Sequence, residues 1–209
     1  PQDIARRKTL YKHPSAEGEH VSAASPGNTG DGLSLAERIG AATVLDYPNA
    51  GAWAPTSLVP RPDGTKGPFP HFVDRGKPGV IAVQRNGRRF VNEANSYHDF
   101  VQGMERATPP GQPVEAFLIC DHRTIRKYGL GYVKPAPLPL KPNIKSGYLV
   151  EGKTLEDLAR NAGLDPVAFK ETVARFNSEV PNGVDTEFGR GSTAYNRFHG
   201  HPRALCRGQ

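Results

Sequence analysis

A tyrosine, a histidine and an aspartate stand side by side at Tyr97, His98 and Asp99, shortly after the pair Asn92-Glu93. A phenol can move a proton during catalysis, but in water it ionises only near a pH of about 10, so a base at neutral pH needs its phenolate stabilised. The start of a helix or a nearby cation would provide that stabilisation. On the residues alone, Tyr97 is either such an acid/base or an amphipathic side chain that anchors a helix start.

A second candidate is the glycine-rich stretch GNTGDG at residues 27–32. Backbone N–H groups at a helix start attract anionic groups, and glycines allow close approach. The stretch matches neither a Walker loop nor GxGxxG, so the residues alone favour an ordinary turn in which Asp31 caps the following helix, with the anion site as the alternative. The candidate residues for holding an anionic group here are Asn28, Thr29, Gly30 and Asp31.

The remaining reactive residue types show no further site by their spacing. The one close histidine pair, His199 and His201, has no carboxylate or cysteine beside it, so we predict no metal site. No Ser-His-Asp or Cys-His arrangement is visible. Cys120 lies in an apolar run and Cys206 in a basic tail, which favours a reduced cytoplasmic protein with an inert core thiol.

Composition excludes several classes of protein. The 209 residues suffice for one domain and part of another, and 43 of them are Gly (23) or Pro (20), which predicts long irregular connections. The net charge of +6 is scattered without interleaved aromatic residues, which argues against nucleic-acid binding. No apolar run is long enough to span a membrane. The chain begins without Met, which suggests a processed or truncated product.

The elements that must position these residues indicate an α+β fold. Asn86-Gly87 predicts a type I′ hairpin with arms Val80–Arg85 and Arg88–Val91. Buried or extended strands are predicted within residues 43–46, 57–59, 71–73 and 114–121. Helices are predicted at 3–11, 32–41, 96–106, 122–129, 155–162 and 166–180, with N-caps at Asp31, Asp121, Thr154 and Asp165. Residues 134–143 read as a polyproline-like crossing, and the chain after residue 187 as loop and tail.

Four segments together resemble the fumarate reductase and 3-ketosteroid dehydrogenase superfamily of FAD-dependent flavoproteins, and the ketosteroid branch most of all. They are GNTGDGLSLAERIGA, the Trp53–Thr56 segment, VIAVQRNGRRFVNEANSY and FGRGSTAYNRF. The resemblance runs from Asp3 to about Phe198. It implies part of a Rossmann-like FAD domain at residues 1–57, a capping (substrate) domain with an antiparallel hairpin and flanking helices at 58–195, and a tail at 196–209.

The resemblance also implies the chemistry. Members desaturate or reduce a C–C bond next to a carbonyl, with FAD taking or giving the hydride. Tyr97 stands where fumarate reductases carry a proton-donating Arg, and Ala54 where they carry a substrate-gripping His, so an apolar ketone is favoured over a dicarboxylate. Tyr97 would then be the acid/base, with the pair Asp74-Arg75 near the family's proton-relay position. Trp53, Phe69, His71 and Phe72 are candidates for the substrate pocket.

Because GxGxxG and the family's late flavin-contacting segment are absent, the resemblance implies an internal fragment. Its partners would be the remaining halves of the FAD domain, and we expect the isolated chain to hold no FAD and to show no turnover. The alternative is a non-catalytic binding or interaction module that keeps the capping fold.

Overall fold

The computed structural model describes residues 2–11, 21–22, 24–44, 46–47 and 50–199. The chain divides into two compact units, Pro1–Trp53 and Ala54–Gln209. The boundaries expected at residues 57 and 195 stay predictions. Among the described residues, no helix combines the length and apolar character needed to cross a membrane.

In its described residues, the first unit contains two helices, α1 at Ile4–Leu10 and α2 at Asp31–Arg38. The expected N-cap at Asp31 is wrong, because Gly30 adopts a left-handed φ of 97° and takes the cap position, which makes Asp31 the first helical residue. The helix stops before the predicted residue 41, since Gly40 is also left-handed. Thr43 and Val44 belong to no strand, contrary to prediction, and Leu45 lies outside the described residues.

Helix α2 is amphipathic but buries none of its residues. Leu35 is 62% exposed and Ile39, which follows the helix, is 87% exposed. An apolar helix face normally packs against another element, because burial of that surface is the main source of helical stability in proteins. This face of the first unit therefore has the character of a surface that another polypeptide segment covers.

The second unit holds two small antiparallel sheets. Strands β1 (Thr56–Pro60) and β2 (Lys66–Pro70) pair in a register that sets Ser57 opposite Phe69. Strands β3 (Ile81–Val83) and β4 (Phe117–Ile119) form the other sheet. Residues 57–59 are extended as predicted, but residues 71–73 are not in a strand and lead into a short 3-10 turn at Asp74–Gly76.

The predicted hairpin around Asn86-Gly87 is wrong in its turn type and its second arm. A type I′ turn needs positive φ at both central residues, yet among the described residues only glycines have positive φ. Instead the Gly87 N–H donates to the Gln84 carbonyl and Gly87 is left-handed, the pattern of a three-residue loop. Only one bridge, Val83 to Arg89, continues the pairing, and β3 takes β4 as its ladder partner.

Helices make up most of the remaining regular structure. They are α3 (Tyr97–Ala107), α4 (His122–Tyr128), α5 (Lys141–Lys145), α6 (Leu155–Ala162), α7 (Pro166–Glu179) and α8 (Ala194–His199). The predicted caps at Asp121, Thr154 and Asp165 are confirmed, each accepting a backbone N–H from the first turn. Two irregular segments were predicted wrongly: α5 begins inside the proline-rich crossing, and α8 lies in what was read as tail.

The core of the second unit forms on the two faces of β3, whose side chains alternate with the period of a strand. Ile81 and Val83 pack with Phe169 and other apolar residues of α6 and α7, whereas Ala82 packs on the other face with Phe100 of α3. The mixture of helices and small antiparallel sheets agrees with the predicted α+β class.

Candidate functional site

Tyr97 is the first residue of α3 and is half-buried. The hydroxyl of the N-cap residue Ser96 accepts the Asp99 N–H at 3.1 Å, which fixes where the helix begins. The Tyr97 ring meets the ring of Phe72 edge-on, with centroids 5.1 Å apart, and Phe72 is 48% exposed. The phenol therefore stands at the positive end of a helix, beside an exposed apolar ring.

Arg75 joins the two segments that carry Tyr97 and Phe72. Arg75 is 2% exposed, and its guanidinium donates hydrogen bonds to the carbonyls of Glu93 and Asn95, just before α3, at 2.8 Å each. It also donates to the carbonyls of His71 and Phe72 at 3.1 Å each. Burial lowers the pKa of Arg75 to about 10, so the group keeps its charge at neutral pH. Arg75 thus holds the segment of His71 and Phe72 against the segment just before α3, and we refer to this set of hydrogen bonds as the Arg75 clamp.

Two charged residues of the signature GRRFVNE, Arg89 and Glu93, belong to a buried ion cluster. The Arg89 guanidinium forms two hydrogen bonds to Glu93, at 2.8 and 2.7 Å, and two to Asp185, at 3.0 and 2.9 Å. Arg190 adds a second cation, donating to Glu93 at 3.3 Å and to carbonyls of Gly76 and Lys77. The cluster connects the segment before Tyr97 to residues almost a hundred positions later.

Two asparagines extend this connection to the last helix. Asn92 donates to the side-chain oxygen of Asn196 at 2.9 Å, and Asn196 donates to the Ala94 carbonyl and to the Asn95 side chain. Asn196 lies in α8, so the segment FGRGSTAYNRF braces the approach to Tyr97. Sequence reasoning noticed both signature segments but did not predict that they bind each other.

A separate chain of hydrogen bonds runs through the start of the second unit. Ser57 Oγ lies 2.9 Å from His71 Nε2, and His71 Nδ1 lies 2.6 Å from Asp74 Oδ2. The Tyr148 hydroxyl lies 2.7 Å from Ser57 Oγ. Burial acts to raise the pKa of Asp74, but hydrogen bonds from His71 and the Gly131 N–H outweigh it and lower the pKa overall. Asp74 faces His71 and not Arg75, so the two residues of the expected relay serve different contacts.

Within the second unit, predicted pocket residues make ring contacts. Phe69 contacts the His71 ring edge-on at 5.4 Å, and Phe72 contacts Tyr97. His71 is only 7% exposed, and its two ring nitrogens lie within hydrogen-bonding distance of Asp74 and Ser57. Its side chain therefore belongs to a buried hydrogen-bond chain. Trp53 belongs to the first unit, where it packs edge-on against Tyr11 at 5.5 Å.

The glycine-rich turn is open and suits close approach of a cofactor. A side chain placed at Gly32 would meet nothing within 4 Å, and Gly30 takes the left-handed conformation that glycine favours. Thr29 donates its hydroxyl to the Asp31 carboxylate at 2.9 Å. The first N–H groups of a helix lack intrahelical partners, so together these residues offer donors and a carboxylate acceptor that fit the hydroxyl and phosphate groups of a dinucleotide.

Comparison with known proteins shows the class to which this fold and turn belong. The family model of the FAD binding domain matches residues 4–205. The chain is a member of that family, and the resemblance to FAD-dependent flavoproteins is confirmed.

Individual relatives make the likeness more specific. The chain is 41% identical over 194 residues to the 4-oxocyclohex-2-ene-1-carboxylate 5-dehydrogenase of Sinomonas cyclohexanicum, covering 93% of this chain and 33% of the relative. It is 36% identical over 181 residues to the 3-oxosteroid 1-dehydrogenase of Mycobacterium tuberculosis, covering 84% and 31%. The crystal structure of a 3-ketosteroid delta1-dehydrogenase from Sterolibacterium denitrificans, in complex with 1,4-androstadiene-3,17-dione, aligns with a TM-score of 0.73 at 28% identity, covering 95% and 35%. The chain thus spans about a third of the length of these relatives.

Proposed function

We propose that the protein containing this chain is an FAD-dependent oxidoreductase that removes hydrogen from, or adds it to, a C–C bond next to the carbonyl of a cyclic ketone. The family and the names of the relatives support this proposal, since both dehydrogenases act on cyclic oxo compounds. A ketosteroid or a smaller oxocyclohexane compound is the substrate class. The expected cytoplasmic location remains a prediction.

The observation that carries the proposal is the position of Tyr97. The phenol lies at the start of α3, where the first N–H groups of the helix carry partial positive charge, and next to the exposed ring of Phe72. In the proposed reaction its oxygen takes a proton from the carbon next to the ketone, or returns one in the reverse direction. The clamp of Arg75 and the N-cap at Ser96 hold the phenol in place.

The substrate side of the site is apolar in this proposal. The exposed ring of Phe72 beside Tyr97 would pack against the flat face of a ring ketone, and Phe69 would lie further along the same strand-and-turn segment. Ala54 provides no charge or hydrogen-bonding side chain for a carboxylate, which disfavours a dicarboxylate substrate. FAD, held in part by residues 28–31, would supply the acceptor for the hydride.

Exposed apolar surface supports the proposal that further FAD-domain segments are partners of this chain. The uncovered face of α2 and Ile39 would be buried by those segments. The isolated 209 residues would then hold no flavin and show no turnover.

The test uses the longest open reading frame that includes these residues. The purified protein is mixed anaerobically with a 3-oxosteroid, with 4-oxocyclohexanecarboxylate and with succinate, and loss of the oxidised-flavin absorbance is followed. We expect bleaching by a cyclic ketone, slowed by roughly 10²–10⁴-fold in Tyr97→Phe with flavin content unchanged. Tyr128→Phe is the matched control. Bleaching by succinate alone, or a Tyr97→Phe rate equal to that of the parent, would contradict the proposal.

A further inference from the structure

The hydrogen-bond chain at Ser57 has the arrangement of a catalytic triad, although no spacing in the sequence indicates one. A hydroxyl nucleophile lies 2.9 Å from an imidazole nitrogen, and the other nitrogen lies 2.6 Å from a carboxylate. These are the distances at which a base can take the proton of a nucleophile while a third group orients the base. Such triads are recognised by geometry and roles and not by chain order or fold.

The surrounding donors determine the direction of each hydrogen bond. Asp74 Oδ2 accepts the Gly131 N–H at 3.0 Å, and as an ionised carboxylate it accepts from His71 Nδ1 as well. His71 Nδ1 therefore carries the imidazole proton, which leaves Nε2 as an acceptor for the Ser57 hydroxyl. This is the tautomer that a general base requires.

Tyr148 provides the fourth component. Its oxygen accepts the Tyr132 N–H at 3.0 Å. Because the single hydroxyl hydrogen of Ser57 is donated to His71, the Tyr148 hydroxyl donates its own hydrogen to Ser57 Oγ, 2.7 Å away. A donor at this position can turn to an oxyanion that forms on an acyl carbon bonded to Ser57. Gly131 packs closely on both groups: a Cβ there would lie 2.6 Å from the His71 ring and 2.6 Å from the Tyr148 hydroxyl oxygen. The imidazole and the phenol are thus held in fixed positions.

We propose that Ser57 is the nucleophile of an acyl-transfer site that accepts small carboxylic esters. Ser57 Oγ bonds to the ester carbonyl carbon as its proton passes to His71 Nε2, and Tyr148 donates to the resulting oxyanion. The bond to the alcohol then breaks, and the alkoxide leaves with the proton from His71. Water repeats the sequence to release the acid. No atom changes its oxidation state, so this activity does not require the flavin.

Burial limits the size of the substrate. Ser57 is half-buried, so part of the residue is open to solvent and a substrate would approach its hydroxyl from that side; its exposed neighbours on β1, Thr56 and Leu58, point to the opposite face of the strand. His71 lies beneath it and is 7% exposed. We therefore expect a short acyl group, such as acetyl, to be the preferred substrate.

The test treats the purified 209-residue chain with a fluorophosphonate and with 4-nitrophenyl acetate. We expect a fluorophosphonate adduct that peptide mass spectrometry assigns to Ser57, and ester hydrolysis that Ser57→Ala abolishes. His71→Gln and Asp74→Asn should each slow adduct formation by roughly 10²-fold or more. Tyr148→Phe should slow hydrolysis by roughly 10²-fold. Thr56→Ala, which removes the adjacent exposed hydroxyl, should leave both rates unchanged.

Several results would overturn the proposal. The first is that the parent chain, shown to be folded by circular dichroism, forms no adduct on Ser57. This measurement does not depend on the folding of any variant. An adduct on other residues only would have the same meaning. Equal rates of adduct formation in the parent and in a folded His71→Gln variant would show that the imidazole does not activate the hydroxyl.

Discussion

Replacing Arg89 by Met should destabilise the second unit severely, whereas the same change at its neighbour Arg88 should be nearly neutral. The Arg89 side chain is 1% exposed, makes four hydrogen bonds to two carboxylates, and lies between the rings of Phe176 and Phe188 at 5.2 and 4.9 Å. The Arg88 side chain is 60% exposed and forms an ion pair with the equally exposed Glu171 at 3.3 Å.

The magnitude follows from the charges that remain. Arg89 and Arg190 together face Glu93 and Asp185, so the Met variant leaves two carboxylates with a single cation. Methionine keeps most of the apolar volume between the two rings, so the loss is mainly electrostatic. Removing one member of a buried ion pair costs about 3–5 kcal/mol, since the partner charge is left uncompensated. An exposed pair contributes about 0–1 kcal/mol.

Urea unfolding of the 209-residue chain, followed by far-ultraviolet circular dichroism, measures both variants. With a slope of about 2 kcal/mol per molar urea, Arg89→Met should lower the midpoint by about 2 M and Arg88→Met by less than about 0.5 M. Equal shifts in the two variants would refute the reasoning. A double variant, Arg89→Met with Glu93→Leu, should recover part of the loss, because it removes one uncompensated charge.

Three further predictions concern pH, backbone conformation and the clamp. Folding lowers the pKa values of Asp74 and Asp185, so these carboxylates stabilise the folded state fully above their ordinary pKa of 3.8, and that stabilisation is lost as the pH falls through the folded pKa. At pH values below about 4, the urea midpoint should therefore decrease, and the decrease should be smaller in Asp185→Asn. Gly64→Ala should cost about 1 kcal/mol for its left-handed φ alone, while Gly87→Ala should cost more, because its Cβ would come within 2.7 Å of the backbone of α7; thermal unfolding compares the two. In the flavin-containing protein made from the full reading frame, Arg75→Lys should slow bleaching of the flavin by a cyclic ketone by about 10²-fold at unchanged flavin content. The reason is that an ammonium group cannot bridge four carbonyls, so Tyr97 would shift. An unchanged rate would show that Arg75 does not position Tyr97 for the reaction.

Helix caps were predictable because their physics is local. At Asp121, Thr154 and Asp165 the side chain that ends the preceding segment also accepts an N–H two or three residues later, so a short window of sequence contains the whole interaction. Gly163 ends α6 in the left-handed conformation for an equally local reason. The local pattern places Tyr97 correctly at a helix start, whereas the choice of acid/base over a packing role rests on the family resemblance.

The predictions for the hairpin and for the tail were wrong because contacts between residues far apart in the sequence determine the structure of both segments. Arg89 lies in the arm that was expected to pair with β3, and Glu93 follows that arm. Their charges are buried against Asp185 and Arg190, and a regular strand does not form there. Asn196 likewise belongs to a helix that docks through side-chain hydrogen bonds to residues 92–95. A separation of about a hundred residues is invisible to periodicity and propensity.

The site at Ser57 depends on register in a way that sequence alone could not reveal. Ser57 lies opposite Phe69 in the β1–β2 pair, and the His71 N–H continues the ladder by donating to the Pro55 carbonyl at 2.8 Å. Because side chains alternate across a strand, a slip of one residue would turn Ser57 to the opposite face and separate it from His71. The turn that follows, residues 71–76, then serves two sites: His71 and Asp74 hold Ser57, and Arg75 holds the segment before Tyr97. A change that loosens this turn should therefore impair both proposed activities, whereas Ser57→Ala should impair only ester hydrolysis and Tyr97→Phe only flavin bleaching.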